Sequence, residues 1–318
     1  MVKNIIIIIC WVFLLLVSLI ASSCGARPPL DQVTLQLNWF HAAEFIGYYI
    51  ADYKGYYRDS NVSVKIMEGG PGIPARDFIL DSRADLAIAS FDEQKSLLES
   101  GKPSVAVMTV FQIPPLVMFS LSDSGIKEPK DMVGKKIGIK NDYWRNIEGK
   151  TLTNAGIDPS IVIEISVAAD AQQMLYNRQV DVWMGYAHDE PVTAEVAGYR
   201  VTNIYPADYG VGGYEGLLLT NESAINRKPE LMTRFVIASQ KGLQYAMEHP
   251  DEAALVLTKW QPNESLEYAK LAVRALIPLV DIPQSKIGWI DAKKWEQLMG
   301  ISYNAQHPGY NMQFLARK

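Results

Sequence analysis

The sequence predicts an α/β fold of two lobes, between which the chain crosses twice. Alternating apolar and polar residues at 33–37 and 62–66 flank a helical stretch, which is the pattern of a strand, helix, strand unit. A second such unit begins at residue 135, and short strands containing Asp lie at 84–90 and 180–186. A chain of 318 residues is long enough for two domains.

The N-terminal stretch has the pattern of a signal peptide. Lys3 precedes an apolar run at 5–20, and small residues lead to Cys24. We therefore expect residues 1–23 to be removed, Cys24 to become the lipidated first residue, and residues 24–32 to form a tether. An uncleaved membrane anchor is the alternative. Either interpretation places the protein on the extracytoplasmic face of a membrane.

Composition excludes several classes of function. Cys10 lies in the predicted signal and Cys24 would carry lipid, so the mature chain keeps no thiol for a disulfide, a metal or a nucleophile. The formal net charge is −5 and no basic cluster is interleaved with aromatic residues, which argues against nucleic acid as a partner. We expect neither a metal nor a cofactor.

The first strand ends in an aromatic turn, and the following helix is aromatic as well. Ligands in open α/β sheets sit at the carboxyl ends of strands. The candidate ligand-binding residues of this stretch are Asn38, Trp39, Phe40, Glu44, Phe45 and Tyr48. The strand at 84–90 delivers two further polar candidates at its end, Ser90 and Glu93.

Two β-rich runs, at 104–111 and 116–121, lead out of the first lobe and are separated by a segment that contains Gln112. We expect the chain to enter the second lobe after residue 121 and to return near Tyr214. The predicted lobes are therefore 33–121 with 215–318, and 122–214.

The second lobe repeats the design of the first. The strand at 135–140 ends close to Tyr143 and Trp144, and the strand at 180–186 ends at Tyr186, followed by Asp189 and Glu190. Further helices are predicted at 228–248, 252–260, 264–276 and 289–299. Two crossings between two α/β lobes form a hinge, which lets the lobes close on a ligand.

Several short motifs occur in a fixed order: Leu37-Asn38-Trp39, Gly47-Tyr48-Tyr49-Ile50-Ala51, Lys54-Gly55-Tyr56-Tyr57, Glu68-Gly69-Gly70-Pro71, Arg83-Ala84-Asp85-Leu86-Ala87, the stretch 129–136, and Gly185-Tyr186 through Glu190-Pro191. In these motifs the chain resembles, from about residue 33 to about 257, the solute-binding proteins of ABC importers. The group includes thiamine-pyrimidine and riboflavin binders and, more distantly, sulfonate and nitrate binders.

The resemblance implies a type II periplasmic binding fold with a ligand in the interlobe cleft, a membrane permease as partner, and a monomer. A fungal relative is an enzyme that uses its own histidine and a cysteine-rich iron site. The mature chain lacks those cysteines, and it shows no Gly-x-Ser-x-Gly elbow and no phosphate loop. We therefore expect a binding protein and not an enzyme.

The ligand is the open question. Flat aromatic walls with a few polar edge groups suit an aromatic heterocycle: the walls would be Trp39, Phe40, Phe45, Tyr48, Tyr143, Trp144, Tyr186 and Tyr214, and the edge groups Asn38, Glu44, Ser90, Glu93, Gln112, Asp189 and Glu190. Pyrimidine binders of this group have a histidine six positions after the Trp, where this chain has Phe45. We rank riboflavin first, the thiamine pyrimidine second and an anionic solute third. A sensory ectodomain is the alternative from another class.

Overall fold

The computed structural model describes residues 29–316. Of these, residues 32–316 belong to one compact unit. The predicted signal peptide, the lipidation of Cys24 and most of the tether lie outside the described residues. None of the helices within 29–316 has the length and apolar character needed to span a bilayer.

Ten strands and twelve α-helices make up the described chain. The strands are β1 Asp31–Gln36, β2 Val62–Met67, β3 Leu86–Ala89, β4 Ser104–Phe111, β5 Leu116–Leu121, β6 Lys136–Ile139, β7 Ile163–Ser166, β8 Trp183–Tyr186, β9 Val201–Ile204 and β10 Glu215–Asn221. The helices are α1 Ile46–Tyr53, α2 Tyr56–Asp59, α3 Ala75–Leu80, α4 Phe91–Glu99, α5 Asp142–Asn154, α6 Gln173–Tyr176, α7 Glu190–Val196, α8 Glu222–Arg227, α9 Pro229–Glu248, α10 Pro250–Trp260, α11 Leu266–Val280 and α12 Ala292–Met299.

The first lobe is built on a five-stranded sheet of order β2-β1-β3-β10-β4. Strands β1 and β3 are parallel, whereas β10 runs antiparallel to both of its neighbours, β3 and β4. Every residue of β3 and β4 is buried, which is expected of strands with both faces covered.

The second lobe repeats this order. Strands β8, β5 and β9 form one antiparallel sheet, and β6 and β7 a parallel pair. A parallel bridge from Ile137 to Val182 joins the two, which gives the order β7-β6-β8-β5-β9. In each lobe the strand that follows the crossing pairs with the third strand of that lobe: β10 pairs with β3 in the first lobe, and β5 pairs with β8 in the second. The predicted two-lobed α/β fold is confirmed.

The crossings fall at two short connections. Residues 112–115 link β4 of the first sheet to β5 of the second, and the chain returns between β9 and β10. Strand pairing thus places residues 116–121 in the second sheet, whereas the sequence assigned them to the first lobe. The two β-rich runs look alike in sequence, and only their pairing partners distinguish them.

Helix α1, which follows the aromatic turn, is fixed against helix α9 by a close backbone contact. A Cβ on Gly242 would collide with the carbonyl oxygen of Gly47. Tyr57 continues the contact: its ring stacks on Phe235 at 5.2 Å, and its hydroxyl lies 2.9 Å from Ser239 Oγ. This packing holds the start of α1, and the aromatic turn before it, against the first lobe.

Candidate ligand-binding site

A cavity of about 490 Å³ lies between the two lobes, at the carboxyl ends of β1 and β8 and beside the crossings. Both lobes contribute to its lining. The lining residues are Asn38, Trp39, Ala42, Glu44, Phe45, Ile88, Val110, Phe111, Pro115, Lys140, Asn141, Tyr143, Trp144, Ala169, Tyr186, His188, Asp189, Glu190, Glu215 and Gly216.

On the first lobe the wall begins with Asn38 and Trp39, directly after β1. The indole of Trp39 is 46% exposed and meets Phe40 edge to face, with ring centroids 5.4 Å apart. The turn is fixed from behind because Gly69 N–H donates to the Trp39 carbonyl at 2.9 Å, an approach so close that a Cβ on Gly69 would not fit. One broad aromatic face is therefore open to the cleft.

On the second lobe three aromatic rings form a connected cluster. Tyr143 and Trp144 meet edge to face at 5.3 Å, and Trp144 and Tyr186 do so at 5.5 Å. Helix α5, which carries the first two, is capped at its start by Asn141, whose Oδ1 accepts from Trp144 N–H at 3.3 Å. Edge-to-face packing of this kind fixes ring orientation before any ligand arrives.

A buried ion pair supports this cluster. The ammonium of Lys140 pairs with Glu190 Oε1, and the two side chains are 7% and 15% exposed. Glu190 Oε2 accepts from Tyr186 N–H at 2.7 Å, and a Cβ on Gly185 would collide with the same carboxylate. Glu190, predicted as an edge group, thus already has protein partners on both oxygens.

The cavity is rich in carboxylates. Glu44 and Glu215 belong to the first lobe, while Asp189 accepts from the Tyr268 hydroxyl at 3.0 Å. Burial, and then the neighbouring carboxylates beginning with Glu44, raise the pKa of Glu215 well above its usual value. A carboxyl group that keeps its proton can donate a hydrogen bond to a ligand.

Two buried polar atoms in the lining have no hydrogen-bond partner among residues 29–316. They are Asn38 Oδ1 on the first lobe and His188 Nδ1 on the second. Leaving such an atom unpaired costs about 1–3 kcal/mol. A ligand that pairs with both would remove this cost, so the two atoms mark where a polar edge can bind.

The structure brings together nine of the residues that the sequence predicted for the site. They are Asn38, Trp39, Glu44, Phe45, Tyr143, Trp144, Tyr186, Asp189 and Glu190.

Six predicted residues lie outside the lining, three of them aromatic. Phe40 packs over Gly70 at the rim. Tyr48 is fully buried in the core of the first lobe. Tyr214 is also fully buried, with its hydroxyl accepting from Asp291 N–H at 2.9 Å. The strand-end rule placed them near the cleft but could not tell which way their rings turn.

The other three are polar groups with structural partners. Ser90 and Glu93 form a reciprocal capping box at the start of α4. Gln112 donates through Nε2 to the Trp289 carbonyl at 2.8 Å. Because their hydrogen-bonding capacity is used within the protein, none of the three presents a free edge to the cavity.

The sequence missed eleven lining residues: Ala42, Ile88, Val110, Phe111, Pro115, Lys140, Asn141, Ala169, His188, Glu215 and Gly216. Lys140 is the last residue of a predicted strand, and Asn141 and His188 follow predicted strands within two residues, so all three could have been found by the rule used for Tyr186. Phe111 and Glu215 lie on the crossing strands, where no local pattern indicates a site.

Comparison with known proteins places the chain in a family. Residues 42–253 match the NMT1/THI5-like family. The riboflavin-binding protein RibY of Chloroflexus aurantiacus is 26% identical over 285 residues, covering 86% of this chain and 81% of that protein. The formylaminopyrimidine-binding protein of Halalkalibacterium halodurans is 26% identical over 300 residues, covering 90% of each.

Other similar proteins are named as enzymes or bind other solutes. The 4-amino-5-hydroxymethyl-2-methylpyrimidine phosphate synthase of Legionella pneumophila is 23% identical over 252 residues, covering 77% of this chain and 79% of that protein. Among solved structures, the periplasmic aliphatic sulphonate binding protein SsuA of Escherichia coli superposes with a TM-score of 0.66 at 16% identity, covering 86% of this chain and 85% of that one. The fold is that of the periplasmic binding proteins, and the chain belongs to the NMT1/THI5-like family.

Proposed function

We propose that this protein is the extracytoplasmic solute-binding subunit of an ABC importer and that its ligand is riboflavin. The observation that carries the proposal is a cavity with aromatic walls on both lobes, Trp39 on one side and the cluster of Tyr143, Trp144 and Tyr186 on the other. A flat ring system between two such walls gains stacking on both of its faces.

The size of the cavity supports a ligand larger than one ring. Pockets for drug-sized molecules span about 300–1,000 Å³, and this one measures about 490 Å³. The three fused rings of a flavin with its ribityl tail use such a volume, whereas a single pyrimidine ring fills a smaller part of it. Similarity to a riboflavin-binding protein agrees with this choice.

The charges of the lining disfavour an anionic ligand. Three acidic side chains, Glu44, Asp189 and Glu190, line the cavity beside Glu215, whose pKa is raised, and the ammonium of Lys140 already pairs with Glu190. A sulfonate or nitrate group would need free cationic or amide donors. A neutral ligand whose hydroxyl groups donate to carboxylates suits the lining better.

The thiamine pyrimidine precursor is the second candidate. The carboxylate of Glu44 could accept from an amino group on a pyrimidine ring, and a relative is named a formylaminopyrimidine-binding protein. Phe45 stands where the pyrimidine binders of this group have a histidine, and for that reason we rank this ligand second.

The remaining parts of the proposal concern anchoring and partners. We propose that Cys24 is lipidated, that the protein acts as a monomer, and that a membrane permease receives the closed form. Residues 25–318 contain no cysteine, which agrees with a carrier and not with the cysteine-dependent chemistry of the fungal relative. A sensory ectodomain would need the same cavity but a different membrane partner.

Calorimetric titration of the protein with riboflavin and with formylaminopyrimidine tests the choice of ligand. We expect saturable heat from riboflavin, together with quenching of flavin fluorescence by ring stacking. Binding of the pyrimidine alone would reverse the order of the two ligands. If neither ligand gives heat, both ligand assignments are wrong, and anionic solutes would be tested next.

A further inference from the structure

His188 is a histidine inside the cavity that the sequence did not single out. Within the described residues the chain has three others, His41, His249 and His307, and none of them lines the cavity. The imidazole of His188 is 3% exposed. It follows β8 on the second lobe, two residues after Tyr186, and therefore faces the cleft from the same strand end.

The ring of His188 packs on one face and has a carboxylate near one nitrogen. It stacks on Phe111, with ring centroids 5.8 Å apart and planes inclined by 17°. Its Nε2 lies 3.5 Å from Glu44 Oε2, across the interlobe boundary. A carboxylate beside one ring nitrogen favours the proton on that nitrogen, because an N–H there is attracted to the negative oxygen whereas a lone pair is repelled.

The other nitrogen of the ring is left without a partner. With the proton on Nε2, a neutral imidazole carries a lone pair on Nδ1 and can only accept there. Nδ1 is buried and has no hydrogen-bond partner among residues 29–316. Its nearest aromatic neighbours, Phe111 and Tyr186, contribute ring faces and edges, so a donor must come from what enters the cavity.

We propose that His188 determines ligand specificity: Glu44 holds it as the Nε2–H tautomer, and Nδ1 accepts a hydrogen bond from a ring N–H or amino group of the bound heterocycle. The inference rests on the proposed function, namely that the cavity binds an aromatic heterocycle. Isoalloxazine offers one such donor, its imide N–H, and an aminopyrimidine offers its amino group. Because Glu44 and His188 belong to different lobes, the acceptor is oriented only when the lobes meet as they do here.

A flavin that lacks the imide N–H tests whether His188 accepts a hydrogen bond from the ligand or only packs against it. We would measure the affinities of riboflavin and 3-N-methylriboflavin for the wild type and for His188→Phe, which keeps a flat ring on Phe111. The substitution should weaken riboflavin about tenfold or more and leave the methylated flavin nearly unchanged. His249→Phe, outside the cavity, is the matched control. Equal weakening of both flavins by His188→Phe would show that His188 only packs.

A readout without ligand tests the same inference. In ¹⁵N spectra of the imidazoles, with the His188 signals assigned by their loss in His188→Phe, we expect the Nε2–H tautomer. An imidazolium ion or a proton on Nδ1 would overturn the proposal. If riboflavin does not bind the wild type, the riboflavin proposal alone fails. The His188 inference is then decided by the tautomer and by whether His188→Phe weakens formylaminopyrimidine.

Discussion

The two walls of the cavity are built in different ways. On the second lobe Tyr143, Trp144 and Tyr186 are locked edge to face and backed by a buried ion pair. On the first lobe Trp39 stands half exposed, with only Phe40 as an aromatic neighbour within the described chain. The second wall is therefore preorganised, whereas the first is left half open to solvent.

Because of this difference, we expect the second wall to contribute to both stability and affinity, and the first wall to contribute to affinity alone. A substitution behind the second wall should destabilise the fold as well as the site, because the wall belongs to the core of its lobe. A substitution of Trp39 should affect binding alone. The following substitutions test how far this division holds.

The largest effect should come from Lys140→Met, which removes the cation behind the second wall. Glu190 would keep a buried charge without its partner, and breaking a buried ion pair in this way costs about 3–5 kcal/mol of folding free energy. Denaturant unfolding of the variant should show this loss, and ligand affinity should fall because Glu190 also holds the Tyr186 backbone.

Two further variants sharpen this prediction. Lys140→Met combined with Glu190→Gln removes the charge as well as its partner and should recover much of the lost stability. Arg145→Met removes an exposed pair with Glu164 on the same lobe and should change little. If Lys140→Met unfolds at the same denaturant concentration as the wild type, the ion pair does not support the wall.

Trp39→Ala should be the counterpart on the first lobe. The loss of a stacked ring and of its contact area should weaken riboflavin at least tenfold, or by about 1.4 kcal/mol. The melting temperature of the ligand-free protein should stay nearly constant, because the indole is 46% exposed. Calorimetry and thermal unfolding of the same sample measure the two quantities.

Phe40→Ala is the matched control for Trp39→Ala. Phe40 is the adjacent ring and is equally exposed, but it does not line the cavity. A loss of affinity in Phe40→Ala as large as that in Trp39→Ala would mean that the turn as a whole, and not the indole face, contacts the ligand.

Two buried carboxyl groups, one in the cavity and one elsewhere, should both make stability depend on pH. The pKa of Glu215 is raised well above its usual value, and burial raises the pKa of Glu148 on α5 to about 7. Each group binds its proton more tightly in the folded than in the unfolded state. Stability therefore falls as the pH rises from the unfolded value of about 4.5 towards the raised pKa.

Glu215→Gln and Glu148→Gln should each flatten this decline and raise the melting temperature of the protein at pH 8 relative to the wild type. Only Glu215→Gln should also change the affinity for riboflavin, since Glu148 lies outside the lining. Thermal unfolding between pH 5 and 8 together with calorimetry makes the comparison. A decline with pH that is unchanged in Glu215→Gln would show that its carboxyl group ionises freely.

The parts of the site that could be predicted from sequence are those with a local signal. Asn38, Trp39, Tyr143 and Tyr186 lie at or just after the ends of strands whose alternation or apolar run is visible in a few residues, and the fold brings strand ends together. Glu215 lies in the cavity because β10 inserts between β3 and β4. That pairing is long-range, so no stretch of the sequence indicates it.

The boundary of the first lobe was mispredicted for the same reason, namely that it depends on long-range strand pairing. The runs that became β4 and β5 are both buried along their whole length, and a β-rich run does not say which sheet it joins. Ser90 and Glu93 are a different case, because Ser-Phe-Asp-Glu has the spacing of a capping box. Local helix chemistry explained these residues better than ligand binding did.

Ser90→Ala should have the smallest effect. It tests whether Ser90 caps helix α4 or contacts the ligand. Ser90 Oγ accepts from Glu93 N–H at 3.2 Å, and Glu93 Oε2 accepts from Ser90 N–H at 3.0 Å. Loss of the cap should cost about 1 kcal/mol of folding free energy and leave riboflavin affinity unchanged, because neither side chain lines the cavity. Ser90→Asn, which can still cap the helix, should recover most of the stability. If the affinity drops in Ser90→Ala while the denaturation midpoint stays fixed, Ser90 contacts the ligand. The first wall would then extend beyond Trp39 to the end of β3.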